Sequence, residues 1–193
     1  MSLRLFVAVE LAEPVIESLT VAQHSLKQHL GTECVRWTDP RGTHLTLKFI
    51  GETDERRLPD MQRALAESAA THAPMGLALG GVGVFPNRRR PRVIWIGLED
   101  ADSGLANLQA SVERAMGRLG LPPEERPFSP HLTLGRVRDG ASARDYDGIA
   151  AALADATPLP AATLHVGELS LMRSVLRPDG PEYTRLFAVP LAR

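Results

Sequence analysis

The sequence predicts an α+β protein whose sheets are largely antiparallel. Helical patterns alternate with strand patterns along the chain, and several neighbouring strands are separated only by turns rich in proline and glycine, which favours hairpins. The length of 193 residues suits one large domain or two compact lobes. With 44% hydrophobic and 23% charged residues, the composition is typical of a globular chain, so a packed core is expected.

Seven segments have the alternation or the short apolar runs of β-strands. The predicted strands are 4–9, 43–50, 77–84, 93–98, 131–137, 163–172 and 183–189. A turn over 86–91 joins the third and fourth strands, and a turn over 178–181 joins the last two. The chain therefore contains at least two predicted hairpins.

Four further segments repeat apolar residues at helical spacing and are predicted helices. Helix starts are predicted at Pro14, after Thr53 or Asp54, after Asp102 or Ser103, and after Ser142, and helix ends at Gly31 and Gly120. The third helix, over 105–119, has the most regular apolar stripe. Interleaved helices and hairpins indicate α+β architecture.

Charge and cysteine content exclude several classes of function. Because 22 basic residues stand against 23 acidic ones, no field of the whole molecule attracts nucleic acid, and any anion-binding surface must be local. The one cysteine, Cys34, cannot form an internal disulfide. No apolar run approaches the roughly 18 residues of a membrane-spanning helix. We therefore expect a cytoplasmic protein that makes no contact with a membrane.

One tetrapeptide occurs twice on predicted strands. His-Leu-Thr-Leu fills 44–47, the first motif, and recurs unchanged at 131–134, the second motif. Side chains alternate along a strand, so each histidine shares a face with its threonine while the leucines point to the core. Two related lobes could turn these faces toward a common cleft.

Two imidazoles and two hydroxyls suit the chemistry of a phosphate ester. Histidine titrates near neutral pH, so one imidazole can take a proton while the other donates one. Threonine hydroxyls can donate hydrogen bonds to the nonbridging phosphate oxygens. A single His-x-Thr on a strand is more often structural than catalytic, but its duplication favours a catalytic role. A zinc site is the competing interpretation, but two histidines without a third ligand at suitable spacing supply too few donors.

The similarity to a known family extends beyond the two motifs. The segments that carry it are 4–11, 35–37, 44–51, 83–87, 92–95 and 128–134. On these residues the chain resembles the two-histidine (2H) phosphoesterase superfamily, in particular its RNA 2′,3′-cyclic phosphodiesterase branch, also called 2′-5′ RNA ligase-like. The resemblance implies one bilobal domain over 1–193, with two pseudo-symmetric lobes that each have an antiparallel sheet and outer helices around a central active-site cleft.

The resemblance also implies a mechanism without metal or cofactor. His131, the proton acceptor, activates water to attack the cyclic phosphate of an RNA end, and His44, the proton donor, protonates the departing 3′ oxygen. Thr46 and Thr133 bind the phosphate, and the product is a 2′-phosphate. The residues themselves leave open which imidazole is the acid and which the base.

Four basic residues are candidate substrate contacts. By alternation Lys48 shares the face of Thr46, although a solvated lysine is the commoner situation. Strict alternation puts Arg136 on the opposite face from Thr133, unless Gly135 forms a bulge. Arg88 and Arg90 belong to a basic cluster that could steer RNA phosphates, and an exposed hairpin tip is an equally good explanation.

Other activities remain open at this stage. The same acid and base could join a cyclic-phosphate end to a 5′-hydroxyl in a 2′-5′ bond, or hydrolyse a small nucleotide cyclic phosphate. A noncatalytic protein that only binds RNA ends would not need both histidines. Both are present in this chain, which disfavours that class. The expected partner is RNA with a 2′,3′-cyclic phosphate end, with tRNA-derived ends among the candidates, and the cleft within one chain predicts a monomer.

Overall fold

The computed structural model describes residues 1–30, 34–155, 161–178 and 180–192. The strands of this part are β1 (Ser2–Glu10), β2 (Val35–Trp37), β3 (His44–Asp54), β4 (Met75–Phe85), β5 (Val93–Glu99), β6 (His131–Val137), β7 (Thr163–Val166), β8 (Glu168–Arg177) and β9 (Gly180–Pro190). The α-helices are α1 (Glu13–His29), α2 (Leu58–Ala69), α3 (Gly104–Arg118) and α4 (Ala143–Ala154). Short 3₁₀ helices span Pro40–Gly42 and Glu55–Arg57. The predicted α+β class is confirmed.

Two antiparallel sheets form two lobes. The sheet of the first lobe has the strand order β3-β1-β8-β9, and that of the second has the order β2-β6-β5-β4-β7. The helices cross over between the lobes, since α1 follows β1 but packs on β6, β7 and α4. Likewise α3 follows β5 but packs on β3 and α2, and α2 packs on β8 and β9. Each lobe is thus covered in part by a helix that follows a strand of the other lobe.

The helices cover one face of each sheet and form the core there. Leu45 and Leu47 of the first motif are buried in this core, as are Leu132 and Leu134 of the second. Burying apolar area of this kind stabilises the fold by about 25 cal/mol per Å². The opposite faces of β3 and β6 carry the histidines and threonines, which is what the alternation predicts.

The predicted strand 163–172 is wrong as one element. The chain leaves the strand conformation at Gly167, so that β7 pairs with β4 in the second lobe whereas β8 pairs with β1 in the first. Both halves alternate apolar residues, so the pattern holds no sign of a change of sheet. The short strand β2 was not predicted, and it borders β6 through Trp37 and Gly135.

The helix boundaries are partly as predicted. Ser142 caps α4 in a capping box with Asp145, and Gly120 ends α3 with a positive φ of 75°. Ser103 is the N-cap residue of α3, as predicted, but its side chain makes no capping hydrogen bond; the carboxylate of Asp100 accepts from the amides of Leu105 and Ala106 instead. The predicted end of α1 at Gly31 lies outside the described residues, as does Asp179 of the last predicted turn.

Candidate active site

The two motifs start side by side where the lobes meet. The hydroxyl of Thr43, next to His44, lies 3.4 Å from the carbonyl oxygen of Thr133. The amide of Thr38, in the segment leading to β3, donates to the carbonyl of Leu134 at 2.9 Å. Because β3 and β6 approach each other there, the faces that carry His44 and His131 border one cleft.

Both motif histidines are held in the same way by the backbone. The Nδ1 atom of His44 lies 3.2 Å from the carbonyl oxygen of Gly42, and that of His131 lies 2.7 Å from the carbonyl oxygen of Ser129. A carbonyl oxygen can only accept, so Nδ1 carries the hydrogen in each ring. The Nε2 atom is therefore left to take or give a proton at a ligand.

Aromatic rings restrict each imidazole further. Phe6 stacks on the ring of His44 at 4.6 Å between centroids, and Tyr183 meets it edge-on at 4.9 Å. Phe85 meets the ring of His131 edge-on at 5.0 Å. Together with the Nδ1 hydrogen bonds, these ring contacts favour one orientation of each imidazole.

The two imidazoles differ in the charges around them. Burial lowers the pKa of His44, the hydrogen bond to Gly42 and the charge of Glu10 raise it, and the charge of His131 lowers it. Burial also lowers the pKa of His131, which the Ser129 carbonyl raises and the charge of Arg136 lowers. The carboxylate of Glu10 thus favours the protonated form of His44, whereas the guanidinium of Arg136 disfavours the protonated form of His131.

Glu10 is a site residue that the sequence analysis missed. It lies directly opposite His44 in the pairing of β1 with β3. Its Oε2 atom accepts hydrogen bonds from the hydroxyl of Ser170 at 2.9 Å and from Arg185 at 3.0 Å, which fix the carboxylate. The strand partner of β1 is not readable from the sequence, so only the paired sheet reveals this neighbour.

The motif threonines complete the two strand faces. Thr46 and Thr133 are partly exposed beside their histidines, and within the described ranges neither hydroxyl has a recorded hydrogen-bond partner. A hydroxyl in that position can donate to an anionic oxygen. The site thus offers two imidazole Nε2 atoms and two hydroxyl donors.

A β-bulge follows each motif and changes the side-chain alternation. In β3 the pairing with β1 shifts so that Thr46 opposes Ala8 while Lys48 opposes Val7. In β6 the pairing with β5 shifts in the same place, between Thr133 and Gly135. One extra residue turns every later side chain of the strand to the other face.

The predicted position of Lys48 is therefore wrong. The bulge turns its side chain into the core of the first lobe, where the residue is 2% exposed. Its ammonium lies 2.7 Å from a carboxylate oxygen of Glu113 and donates to the carbonyl of Pro122 at 2.9 Å. Lys48 is committed to this buried pair, on the face of the sheet away from His44.

The bulge between Thr133 and Gly135 turns Arg136 back to the cleft. This is the condition under which the sequence allows Arg136 to face the substrate. Arg136 is exposed, and its charge acts on the pKa of both His131 and Tyr183. Arg88 and Arg90 are exposed in the turn after Phe85, which Asn87 shapes by accepting from the amides of residues 89 and 90. Since Phe85 contacts His131, this turn lies at the rim of the cleft.

Neither a metal-binding cluster nor a membrane-spanning helix is found over the described ranges. No three His, Cys, Asp or Glu side chains converge there as a metal ion would require. No helix in that part of the chain is long and apolar enough to cross a bilayer.

The fold and site define a class of two-lobed α+β proteins with one His-x-Thr strand face per lobe. The model of the 2′-5′ RNA ligase superfamily matches residues 10–177. The chain therefore belongs to that superfamily, and the resemblance inferred from the duplicated motif is confirmed.

Curated relatives and solved structures agree with this assignment. The RNA 2′,3′-cyclic phosphodiesterase of Methanothermobacter thermautotrophicus is 34% identical and aligns over 95% of this chain and 96% of its own. The protein of that name from Thermus thermophilus is 35% identical over 95% of this chain and 88% of its own. The crystal structure of TT0787 from Thermus thermophilus has a TM-score of 0.81 at 31% identity, covering 97% of each chain. These relatives confirm the predicted enzyme class, a phosphodiesterase.

Escherichia coli LigT complexed with 3′-AMP has the same fold. Its TM-score is 0.77 at 24% identity, with 100% of both chains covered. The two-lobed architecture is thus shared across the length of the chain.

Proposed function

We propose that this protein hydrolyses 2′,3′-cyclic phosphate ends of RNA to 2′-phosphates by metal-independent acid-base catalysis with His44 and His131. One observation carries the proposal: two imidazoles, each tied at Nδ1 to a backbone carbonyl, border one cleft with their Nε2 atoms uncommitted. The relatives named as RNA 2′,3′-cyclic phosphodiesterases support the substrate class.

The proposed reaction is an in-line displacement at phosphorus. Neutral His131 takes a proton from water at Nε2, and the hydroxide oxygen forms a bond to phosphorus as the bond from phosphorus to the 3′ oxygen breaks. Protonated His44 gives its Nε2 proton to the departing 3′ oxygen. Thr46 and Thr133 donate hydrogen bonds to the nonbridging oxygens, where negative charge is concentrated.

Two charges support this order of roles. Glu10 favours the protonated form of His44, which suits an acid, whereas Arg136 disfavours the protonated form of His131, which suits a base. The residues of the two motifs are identical, so the neighbours supply the difference.

Arg136, Arg88 and Arg90 are proposed substrate contacts. Arg136 is exposed on the cleft side, and Arg88 and Arg90 are exposed at its rim. Each contact with an RNA phosphate adds to the salt dependence of binding. The double variant Arg88→Gln/Arg90→Gln is expected to reduce the slope of log K against log salt by about 1.4, at roughly 0.7 per contact on a single strand. Fluorescence anisotropy of labelled RNA at several salt concentrations measures this slope. An unchanged slope would mean that neither Arg88 nor Arg90 contacts the RNA.

The proposed enzyme acts as a monomer. Both motifs come from one chain, so the site is complete without a partner, and residues 1–193 act as one bilobal domain. A cytoplasmic location and tRNA-derived substrates belong to the same proposal.

Replacement of each motif histidine tests the mechanism. His44→Ala and His131→Ala are each expected to lower kcat by about 10²- to 10⁴-fold, the usual contribution of a general acid or base. The assay uses end-labelled RNA with a 2′,3′-cyclic phosphate and identifies the position of the product phosphate. His24→Ala, on the exposed surface of α1, is the matched control. Near wild-type hydrolysis by either variant, or loss of activity with a chelator and its recovery with zinc, would contradict the proposal.

A further inference from the structure

The proposed reaction sets the direction in which the RNA leaves the site. In an in-line displacement the attacking and departing oxygens lie on opposite sides of phosphorus. If His131 activates water and His44 protonates the 3′ oxygen, the ribose lies on the His44 side. The cleft face of the first lobe, which carries His44, is then the surface that adjoins this ribose and the RNA attached to it.

Phe49 stands out on this face. The bulge after the first motif turns its ring to the same side as Phe6, with 6.4 Å between the two centroids. Phe6 is 3% exposed beneath His44, but Phe49 is 60% exposed. An exposed aromatic ring is a platform for a nucleobase, because every base can stack on it.

Tyr183 and Arg4 extend the same surface outward. Tyr183 meets Phe6 edge-on at 5.4 Å between centroids. Arg4 lies two residues before Phe6 on β1. Burial raises the pKa of Tyr183, and the charge of Arg4 lowers it. Arg4 is exposed and, within the described ranges, has no recorded ion pair. It is therefore a cation available to an RNA phosphate.

Two acidic residues border this surface, and each carboxylate has a hydrogen-bond donor of its own. Glu52 opposes Arg4 in the pairing of β1 with β3, yet its carboxylate accepts from the hydroxyl of Ser2 at 2.7 Å. Glu124 accepts from the amide of Phe49 at 3.0 Å and so supports the strand below the ring. The combination of an open ring, a tyrosine and an exposed guanidinium suits a nucleotide with its phosphate.

We propose that Phe49, Tyr183 and Arg4 form a subsite for the nucleotide on the 5′ side of the cyclic end. The base stacks on Phe49, and Arg4 binds the phosphate of that nucleotide. The preferred substrate is then an RNA oligonucleotide rather than a cyclic mononucleotide. This inference rests on the proposed function, since it takes the direction of the RNA from the roles of the two histidines.

Kinetics with two substrates test the subsite. One substrate is a nucleoside 2′,3′-cyclic monophosphate, and the other is a trinucleotide with the same cyclic end. The wild-type protein is expected to have the higher kcat/KM on the trinucleotide. Phe49→Ala is expected to lower the ratio of the two kcat/KM values by about 5- to 150-fold, the range for losing one stacked base, and Phe49→Trp is expected to keep it. Val21→Ala, an exposed apolar residue on α1, is the control.

Arg4→Gln tests the phosphate contact separately. It is expected to reduce the salt slope for binding a trinucleotide that ends in 2′-phosphate by about 0.7. Arg144→Gln on α4 is its control, with an unchanged slope.

The outcomes separate the subsite from the proposed function. Equal kcat/KM on the two substrates, or an unchanged ratio in Phe49→Ala, would overturn the subsite while hydrolysis itself stands. If neither cyclic phosphate is hydrolysed, the proposed function fails, and the subsite fails with it.

Discussion

The two lobes carry the same four-residue motif and the same bulge after it, but they differ at each neighbouring position. Beyond the bulge the first lobe has Lys48 and then Phe49, whereas the second has Gly135 and then Arg136. Across the strand pair, Glu10 faces His44, but a glycine faces His131. The common frame therefore orients two equivalent imidazoles, and the unmatched neighbours give each its electrostatic surroundings.

The residue directly after each motif makes different contacts in the two lobes. In the first lobe, Lys48 and Glu113 hold the segment that leads from α3 to the second motif, since Glu113 also accepts from the amide of Glu124. In the second lobe, strand β2 packs against the edge of β6, and Gly135 leaves room for it. One edge is held by an ion pair and the other by close backbone contact.

Among the residues that differ between the lobes, Lys48 is expected to have the largest effect on the free energy of unfolding. The side chain of Glu113 is only 23% exposed, and Lys48→Met removes the cation that pairs with it. The free energy of unfolding should therefore fall by about 3 kcal/mol. Urea unfolding measures the loss. The double variant Lys48→Met/Glu113→Gln should be less destabilised, because the unpaired charge is gone. A double variant that is no more stable than the single one would contradict this account of the pair.

A smaller effect is expected at the equivalent Gly135. A Cβ atom there would lie 2.8 Å from Cγ1 of Val35 and 3.2 Å from the carbonyl oxygen of Arg36. Gly135→Ala should therefore push β2 away and cost about 2 kcal/mol, as overpacking does. Gly81→Ala is the matched strand control, since a Cβ atom at that position would have nothing within 4 Å. Equal stability of the two variants would show that β2 does not need this close approach.

The smallest and most specific effects are on the pH dependence. Because burial lowers the pKa of both imidazoles, the kcat/KM maximum should lie on the acidic side of their ordinary value. Glu10→Gln removes a charge that favours protonated His44, so the pKa of His44 falls and the alkaline limb moves to lower pH. Arg136→Gln removes a charge that disfavours protonated His131, so its pKa rises and the acid limb moves to higher pH.

Rate profiles with a cyclic mononucleotide measure both limbs, which belong to the coupled pair of imidazoles. NMR titration of each ring assigns the shifts to His44 and His131. Shifts of both limbs in one direction in either variant would mean that the charges do not set the roles as described.

Much of the site could be predicted from the sequence because its key pattern is local. Two-residue alternation was enough to put His44 with Thr46 and His131 with Thr133, and the leucines in the core. The bulge in β3 was not readable, and the one in β6 was only suggested by Gly135, because an extra residue in a strand depends on its pairing with a neighbour. For that reason Lys48 was assigned to the wrong face, and the position of Arg136 stayed conditional.

Long-range pairing also explains the other differences. Glu10 and His44 are 34 positions apart and meet only because β1 pairs with β3. The break at Gly167 sends two halves of one apolar segment to different lobes. Neither fact leaves a periodic signal, whereas the four helices, whose apolar stripes are local, were all predicted.

The most direct test of the central claim is a crystal structure with a short RNA that ends in a 2′-phosphate. We expect the Nε2 atoms of His44 and His131 to lie within about 3 Å of oxygens on the same phosphorus, from opposite lobes. A phosphate bound by one motif alone, with the other imidazole turned away from it, would contradict the account.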